Sequence, residues 1–303
     1  MGKSSDRKLD LNTNEAKGSN DATLGFKEKL LKAAEKLNSF WLFAFVSAEG
    51  MKSKVTIIKL AALRLVRVTF GKTDFIARIE KNLWKTVVVG TGNSIYALAD
   101  QSSFFIVSQL YYETEFIKKW FSPRIGETVI DIGAHIGKYT ISSSKAVGGQ
   151  GVVIAIEAHP ENYRILERNI RLNGLKNVKA FNLAAWNEEC ELRIFAGDTS
   201  GHHNVTTNMR MGQISVKAKA VDDIVNELSL DRVDWVKIDV EGAECEVLRG
   251  LKQTISKYRP KIVFEVAIKN TEVALEFMQN LNHDVIRISP IFDADAYYFG
   301  FSR

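Results

Sequence analysis

The segment from Val129 to Thr140, VIDIGAHIGKYT, limits the folds open to this chain more than any other. An apolar run reaches Asp131, glycines follow four residues apart at Gly133 and Gly137, and a helical pattern begins. A buried strand that turns into a helix through glycines is the opening unit of a parallel α/β sheet. The glycines supply backbone with φ > 0 and, on sequence grounds, leave room for a ligand lying across the turn. The helix start offers N–H groups and a partial positive charge to a carboxylate or phosphate. Asp131 at the strand end can accept from an ammonium or stabilise a cation. A second apolar strand ends 26 residues later in Glu157, within IAIEAHPEN. An acid at that place can accept both hydroxyls of a ribose. Turn and acid together point to an adenosine ligand.

Spacing narrows the ligand further. A dinucleotide turn reads G-x-G-x-x-G, and a phosphate loop places Ser or Thr directly after Gly-Lys. Here the glycines read G-x-x-x-G, and Tyr139 follows Gly137-Lys138. An acid two residues before G-x-x-x-G fits S-adenosylmethionine, whose amino-acid end is zwitterionic and whose sulfonium is positive.

The rest of the chain is arranged around this unit. After Pro123, non-alternating apolar runs at 128–132, 152–157, 178–182, 235–239 and 261–266 are joined by helical patterns at 136–146, 161–172 and 243–251. That alternation predicts a parallel sheet covered on both faces. Residues 191–195 and 214–220 alternate instead, which predicts an antiparallel extension around a loop at 197–212. A helix over 273–281 and strands at 284–288 and 296–301 close the chain. The expected fold is a doubly wound, mostly parallel, seven-stranded Rossmann-like sheet with an antiparallel final strand and an N-terminal helical and hairpin extension. Residues 1–23 carry almost no large apolar side chains and are expected to be a disordered tail. Residues 24–122 read as a helical and hairpin region able to cover a substrate, with helices at 24–48, 54–68 and 104–121. Within it, 75–79, 86–89 and 94–98 are β-prone, and Gly90 to Asn93 reads as a hairpin turn. Residues 123–303 form the cofactor-binding domain.

Composition excludes several classes. Two cysteines cannot make a disulfide framework or close a four-ligand zinc site. No apolar run approaches the roughly 20 residues that span a bilayer, and the run at 40–46 lacks the pattern of a signal peptide. A cytoplasmic protein is expected. Charge is uneven. Residues 1–120 hold 19 Lys/Arg against 12 Asp/Glu, or +7, and nine of those bases lie between Lys52 and Lys85. Such a stretch favours nucleic acid, a phosphorylated substrate or a membrane surface, although a solvated basic face is the plainer reading. The basic, amphipathic 52–68 helix is a candidate for peripheral membrane contact or for covering the cleft.

Three segments carry a family resemblance: VIDIGAHIGKYT, VVIAIEAHPENYRILERNIRLNGL at 152–175, and DWVKIDVEGAECEVLRGL at 234–251. Residues 129–266 resemble the catalytic core of the FkbM-type S-adenosylmethionine-dependent methyltransferases, a class I Rossmann-like group. The run from Lys237 to Glu244 is the most family-specific part, and Tyr112-Glu113 resembles a Tyr-Glu pair found before the core. The family more commonly carries Asn where this chain has His135. The resemblance implies that Gly133, Ala134, His135 and Gly137 line the methionine moiety. It implies that Glu157 holds the ribose, with Ala158 and His159 beside it, and that Asn182, Ala184 and Ala185 edge the adenine. Family members mostly methylate hydroxyl oxygens, often on sugars or polyketides.

Methyl transfer is an in-line displacement at a carbon already activated by sulfonium, so alignment supplies much of the rate. A hydroxyl acceptor must also lose its proton to a nearby base. Asp239, at the end of the fourth strand, and Glu241, two residues on, are the best bases. The structural alternative is that Asp239 caps the next helix and Glu244 complements its dipole. His202 and His203, in the 197–212 loop, are weaker candidates for base and substrate contact, and Glu113 is a second candidate substrate contact. No metal is expected. Asp222-Asp223 reads as a helix N-cap, and Cys190 and Cys245 read as buried fillers. The expected activity is O-methylation of a carbohydrate or glycan-like hydroxyl. The alternatives are an RNA methyltransferase that uses the basic N-terminal region and a cofactor-binding module without catalysis.

Overall fold

The computed structural model describes residues 39–71, 73–108, 119–196, 203–205, 213–289 and 295–302. A helix over 39–47 (α1) leads into α2 (Gly50–Phe70) and α3 (Asp74–Trp84). The strand expected at 75–79 is therefore helix. Thr73 caps α3 by accepting the Ile76 N–H at 3.3 Å, and Asp74 in the first turn faces the positive end of the helix dipole. Cap and amphipathic period outweigh the β propensity of Phe75 and Ile76. The expected hairpin forms with a shorter turn: β1 (Val88–Thr91) and β2 (Ser94–Ala97) pair antiparallel around Gly92-Asn93, where Gly92 supplies φ 56, so Gly90 and Thr91 belong to the strand and not to the turn. A capping box between Asp100 and Ser103 starts α4 (Gln101–Val107). The expected tail at 1–23, the helix before residue 39 and most of that beyond residue 108 lie outside the described residues.

The chain then alternates through β3 (Thr128–Ile132), α5 (Lys138–Val147), β4 (Val152–Ile156), α6 (Pro160–Leu172) and β5 (Val178–Phe181). After β6 (Ala184–Trp186), β7 (Cys190–Ala196), β8 (His203–Val205) and β9 (Gln213–Ala220) come α7 (Val221–Glu227), β10 (Trp235–Ile238), α8 (Glu244–Gly250) and α9 (Lys252–Tyr258). The chain closes with β11 (Lys261–Ala267), α10 (Thr271–Asn280), β12 (His283–Arg287) and β13 (Asp295–Ser302). Seven strands form one sheet in the order β12-β13-β11-β10-β3-β4-β5, with β13 antiparallel to both neighbours. Strand order reverses between β3 and β10, which run parallel side by side. Their carboxyl ends therefore border the crevice where such sheets bind ligands.

Both faces of this sheet are buried, which is why its strands read as continuous apolar runs. Ile130, Ile132, Val236, Ile238, Ile262 and Phe264 face one core, while Val129, Val153, Trp235 and Val263 face the other. A second sheet, ordered β6-β9-β7-β8, contains the expected antiparallel pair β7–β9. Its three-residue strand β6 is too short to show a period, and it pairs parallel with β9. At Gly250 a Cβ would lie 1.9 Å from the Trp186 carbonyl oxygen, so α8 can approach β6 only with glycine there.

The N-terminal elements share a core with the first α/β unit: Ile57, Leu60, Trp84 and Phe104 pack in one cluster with Ile136 and Ile141. Asn169 on α6 and Asn173 at its C-cap seal the edge of β2. Asn169 bonds the Ala97 N–H (2.6 Å) and carbonyl (3.1 Å), and Asn173 bonds the Ile95 N–H (3.0 Å) and carbonyl (2.6 Å). Four helical residues rise about 6 Å and two strand residues about 6.6 Å, so the two carboxamides meet alternate residues of the strand.

Candidate functional site

β3 passes into α5 through Gly133 at φ 77 and Gly137 at φ 99. A Cβ on either glycine would meet the protein itself. A Cβ on Gly133 would lie 1.8 Å from the Asp239 carbonyl oxygen, and one on Gly137 would lie 2.7 Å from Leu166 Cδ1. Glycine is required because the backbone turns left-handed and because β10 and α6 close tightly on the corner. The turn's amides are also used internally. Gly133 and Ala134 donate to the Ile156 carbonyl (2.9 and 3.0 Å), Gly137 donates to Ala134 (2.8 Å), and the His135 N–H donates to Glu157 Oε2 (2.8 Å). The corner is therefore preset by the chain's own hydrogen bonds.

Glu157 stands at the tip of β4 and is only 6% exposed. Its Oε1 accepts the His159 N–H at 2.9 Å. Burial pushes its carboxyl up to about 7, against the pull of the His159 and His135 amides. Asn182 joins the tips of β4 and β5 by donating to the carbonyls of Glu157 (2.9 Å) and Ala158 (3.1 Å). His159 caps α6, accepting the Glu161 N–H at Nδ1 (3.2 Å), with Pro160 in the first turn. Ala184 and Ala185 lie on β6, and their methyl groups are buried in apolar clusters.

His135 occupies φ 51, a region in which Asn, Asp and His are enriched among non-glycine residues. Burial lowers the imidazole to about 4, so the ring is neutral near pH 7. Asp131 is fully buried and ties β3 to α5: its Oδ2 accepts the Thr140 hydroxyl at 2.5 Å. Burial raises its pKa, and Lys237 opposes the shift. Two buried polar atoms beside the turn, Asp131 Oδ1 and His135 Nε2, have no hydrogen-bond partner among the described residues. Such a pair suits a ligand that carries its own ammonium and carboxylate.

A line of polar residues continues from Asp131 across the same sheet face. Register places Lys237 opposite Asp131, and Ile238 opposite Phe264 sets Asp239 beside Glu265. The buried Lys237 ammonium lies 2.9 Å from Asp239 Oδ2 and 4.5 Å from the Tyr139 ring centroid. Asp239 is one-quarter exposed. Burial disfavours its charge, but Lys237 and a hydrogen bond with Glu265 hold its carboxyl below the ordinary value. Burial and the Asp239 charge push Glu265 up to about 10, while Tyr297 donates to its Oε2 at 2.9 Å. Lys237, Glu265 and Tyr297 were not anticipated. The available signal was a charged residue inside each of the buried apolar runs WVKI and KIVFEVA.

Glu241 lies at φ 54 and Gly242 at φ 107 in the turn after β10. Glu244 pins that turn, accepting the Gly242 N–H at 2.6 Å and the Asn270 amide at 3.3 Å. Asp222 caps a different helix from the one expected. Its carboxylate accepts the Gln253 and Thr254 N–H groups of α9 (2.9 and 2.8 Å), while Ala220 precedes α7. Cys190 and Cys245 are half-buried. His203 lies on β8 at the rim of the second sheet. His202 and Glu113 lie outside the described residues. No described helix is long and apolar enough to cross a membrane.

The family model of the methyltransferase FkbM domain matches residues 131–293. Methyltransferase 1 of Beauveria bassiana is 26% identical over 144 residues, covering 41% of this chain and 57% of that protein. Hexuronic acid methyltransferase AglP of Haloferax volcanii is 28% identical over 135 residues, 44% of this chain and 53% of that protein. These matches span little more than half of either relative. Among solved structures, an FkbM methyltransferase from Methylobacillus flagellatus aligns over 90% of this chain and 60% of its own, at 15% identity and a TM-score of 0.44.

Proposed function

Because the chain belongs to the FkbM family of S-adenosylmethionine-dependent methyltransferases, we propose that it methylates a hydroxyl oxygen of a carbohydrate or glycan-like acceptor. The observation that carries this reading is Asp239. It is a partly exposed carboxylate at the carboxyl end of β10, held in its charged form by Lys237, and its residue's backbone carbonyl packs against Gly133. A hydroxyl needs a base to take its proton, and even a carboxylate of low pKa suffices once the oxygen begins to bond to the methyl group. The relative named as acting on hexuronic acid supports the acceptor class.

The cofactor supplies a methyl group activated on sulfonium. In this reading Asp131, Gly133, Ala134, His135 and Gly137 surround its amino-acid end. Glu157 takes the ribose, with Ala158 and His159 beside it, and Asn182, Ala184 and Ala185 edge the adenine, the two alanines through their backbone. Glu241 is the second candidate base, with His202 a third, and Glu113 and His203 stand on the acceptor side. Residues 24–122 cover the acceptor cleft in this proposal, and a cytoplasmic setting belongs to it. On α2, exposed Met51, Val55, Ile58 and Leu65 beside Lys52 and Lys59 support peripheral contact with an anionic membrane.

The test is transfer of labelled methyl groups into uronic-acid oligosaccharides and into RNA. Label in the saccharide, lost in Asp239→Asn, supports the proposal. Label in RNA alone rejects the acceptor class and favours the second reading, which rests on the basic stretch from Lys52 to Lys85. Binding of adenosylhomocysteine with no transfer to any hydroxyl favours the non-catalytic reading.

A further inference from the structure

A carboxylic acid beside the candidate base has no role in the reading above. β10 and β11 run parallel and in register, so the residue after Ile238 sits next to the residue after Phe264. Those residues are Asp239 and Glu265, and their carboxyl groups are hydrogen-bonded to each other. Two carboxyl groups can bond in this way only when one of them carries a proton. The neighbours decide which one does. Asp239 has an ammonium 2.9 Å from Oδ2, which favours its charged form. Glu265 has a phenol: the Tyr297 hydroxyl on β13 donates to Oε2 at 2.9 Å. With Oε2 accepting, Oε1 is left to carry the proton toward Asp239. The charged and titratable groups around the pair include Asp131 from β3, Lys237 from β10, Glu244 from α8, Tyr297 from β13 and His135 from the turn. The Lys237 ammonium also rests over the Tyr139 ring from α5.

We propose that Glu265 is a positioning residue for methyl transfer: as a neutral acid held by Tyr297, it donates to Asp239 and aims that carboxylate at the acceptor hydroxyl. The inference rests on the reading of Asp239 as the base and deepens it. As the acceptor oxygen takes the methyl group, its proton passes to Asp239 and Glu265 keeps its own. The pair then serves as one charge rather than two. A doubly ionised pair would set like charges against each other, and an apolar residue at position 265 would leave Lys237 alone to orient the Asp239 carboxylate.

Glu265→Gln separates this role from its rivals, because its amide can donate to Asp239 and its carbonyl can accept from Tyr297. We expect Glu265→Gln to fold, to bind adenosylhomocysteine as the wild type does, and to keep kcat within about threefold on a uronic-acid oligosaccharide, with an unchanged pH profile. Glu265→Ala should lower kcat about 10- to 100-fold with little change in KM. A second readout needs no acceptor. In full-length chain labelled at glutamate carboxyl carbon, NMR should show a side-chain resonance that stays protonated well above the Glu157 titration near 7 and ionises only toward about 10. It should be absent in Glu265→Gln and titrate at lower pH in Asp239→Asn. A Glu265 resonance that is ionised at pH 7, or a Glu265→Gln variant as inactive as Asp239→Asn, overturns the proposal. If the wild type methylates no hydroxyl, the O-methylation reading fails, and the NMR result still decides where the proton sits.

Discussion

Lowering the pH from 8 to 5 should weaken adenosylhomocysteine binding, and Glu157 sets the size of the effect. Its carboxyl is buried and pushed up to about 7 in the free protein. Ribose hydroxyls donate to the ionised form, so binding competes with the proton. With a pKa of about 7, the ionised fraction falls from about 0.9 at pH 8 to about 0.01 at pH 5. Affinity should therefore fall about 90-fold, equivalent to about 2.7 kcal/mol. His135, lowered to about 4, stays largely neutral across the range and contributes little. Isothermal titration calorimetry at pH 8, 7, 6 and 5 measures the dependence. Glu157→Gln should bind weakly at pH 8 and show a flat profile, since the titrating acceptor is gone. A wild-type dissociation constant that stays level from pH 8 to 5 in folded protein would falsify the placement of the ribose on Glu157.

Four further outcomes follow from the same geometry. Gly133→Ala puts a side chain at φ 77 and 1.8 Å from the Asp239 carbonyl oxygen. The conformation alone costs about 1–2 kcal/mol, and a clear drop in the urea midpoint is expected beyond that. Asn169→Ala strands the Ala97 N–H and carbonyl and the Ile136 carbonyl, all bonded by that side chain. A loss of about 2–4 kcal/mol in denaturant titration is expected, and a loss below about 0.5 would show that water replaces the amide. His135→Asn should keep both fold and cofactor binding, because Asn tolerates the left-handed backbone and the native ring is already neutral. Finally, the pKa of Glu265 is raised on folding, so its contribution to stability is complete at acid pH and is lost as pH rises toward about 10. Stability should fall between pH 5 and 9, and Glu265→Gln should flatten that slope by at most about 1.4 kcal/mol per pH unit.

The parallel core was legible in the residues alone. A strand buried on both faces reads as a short apolar run wherever it lies, so β3, β4, β5, β10 and β11 fall within one residue of their expected ends. The glycine turn and the acid at the next strand tip are equally local, because both lie within one β-α-β unit. Where local signals competed, context decided: residues 75–79 carry β propensity, yet Thr73 and Asp74 make them helix. Asp222 looks like a cap for its own helix, but packing brings the start of α9 to its carboxylate. The glycines were recognisable, but not what crowds them, since Asp239 and Leu166 arrive from distant parts of the chain. The cluster of Asp131, Lys237, Asp239, Glu265 and Tyr297 is the extreme case. Its members come from four strands, and only the register of β3, β10, β11 and β13 sets them side by side. Sequence by itself determines which residues form each element. Which charges share a proton depends on long-range strand pairing, and that pairing exists only in the folded sheet.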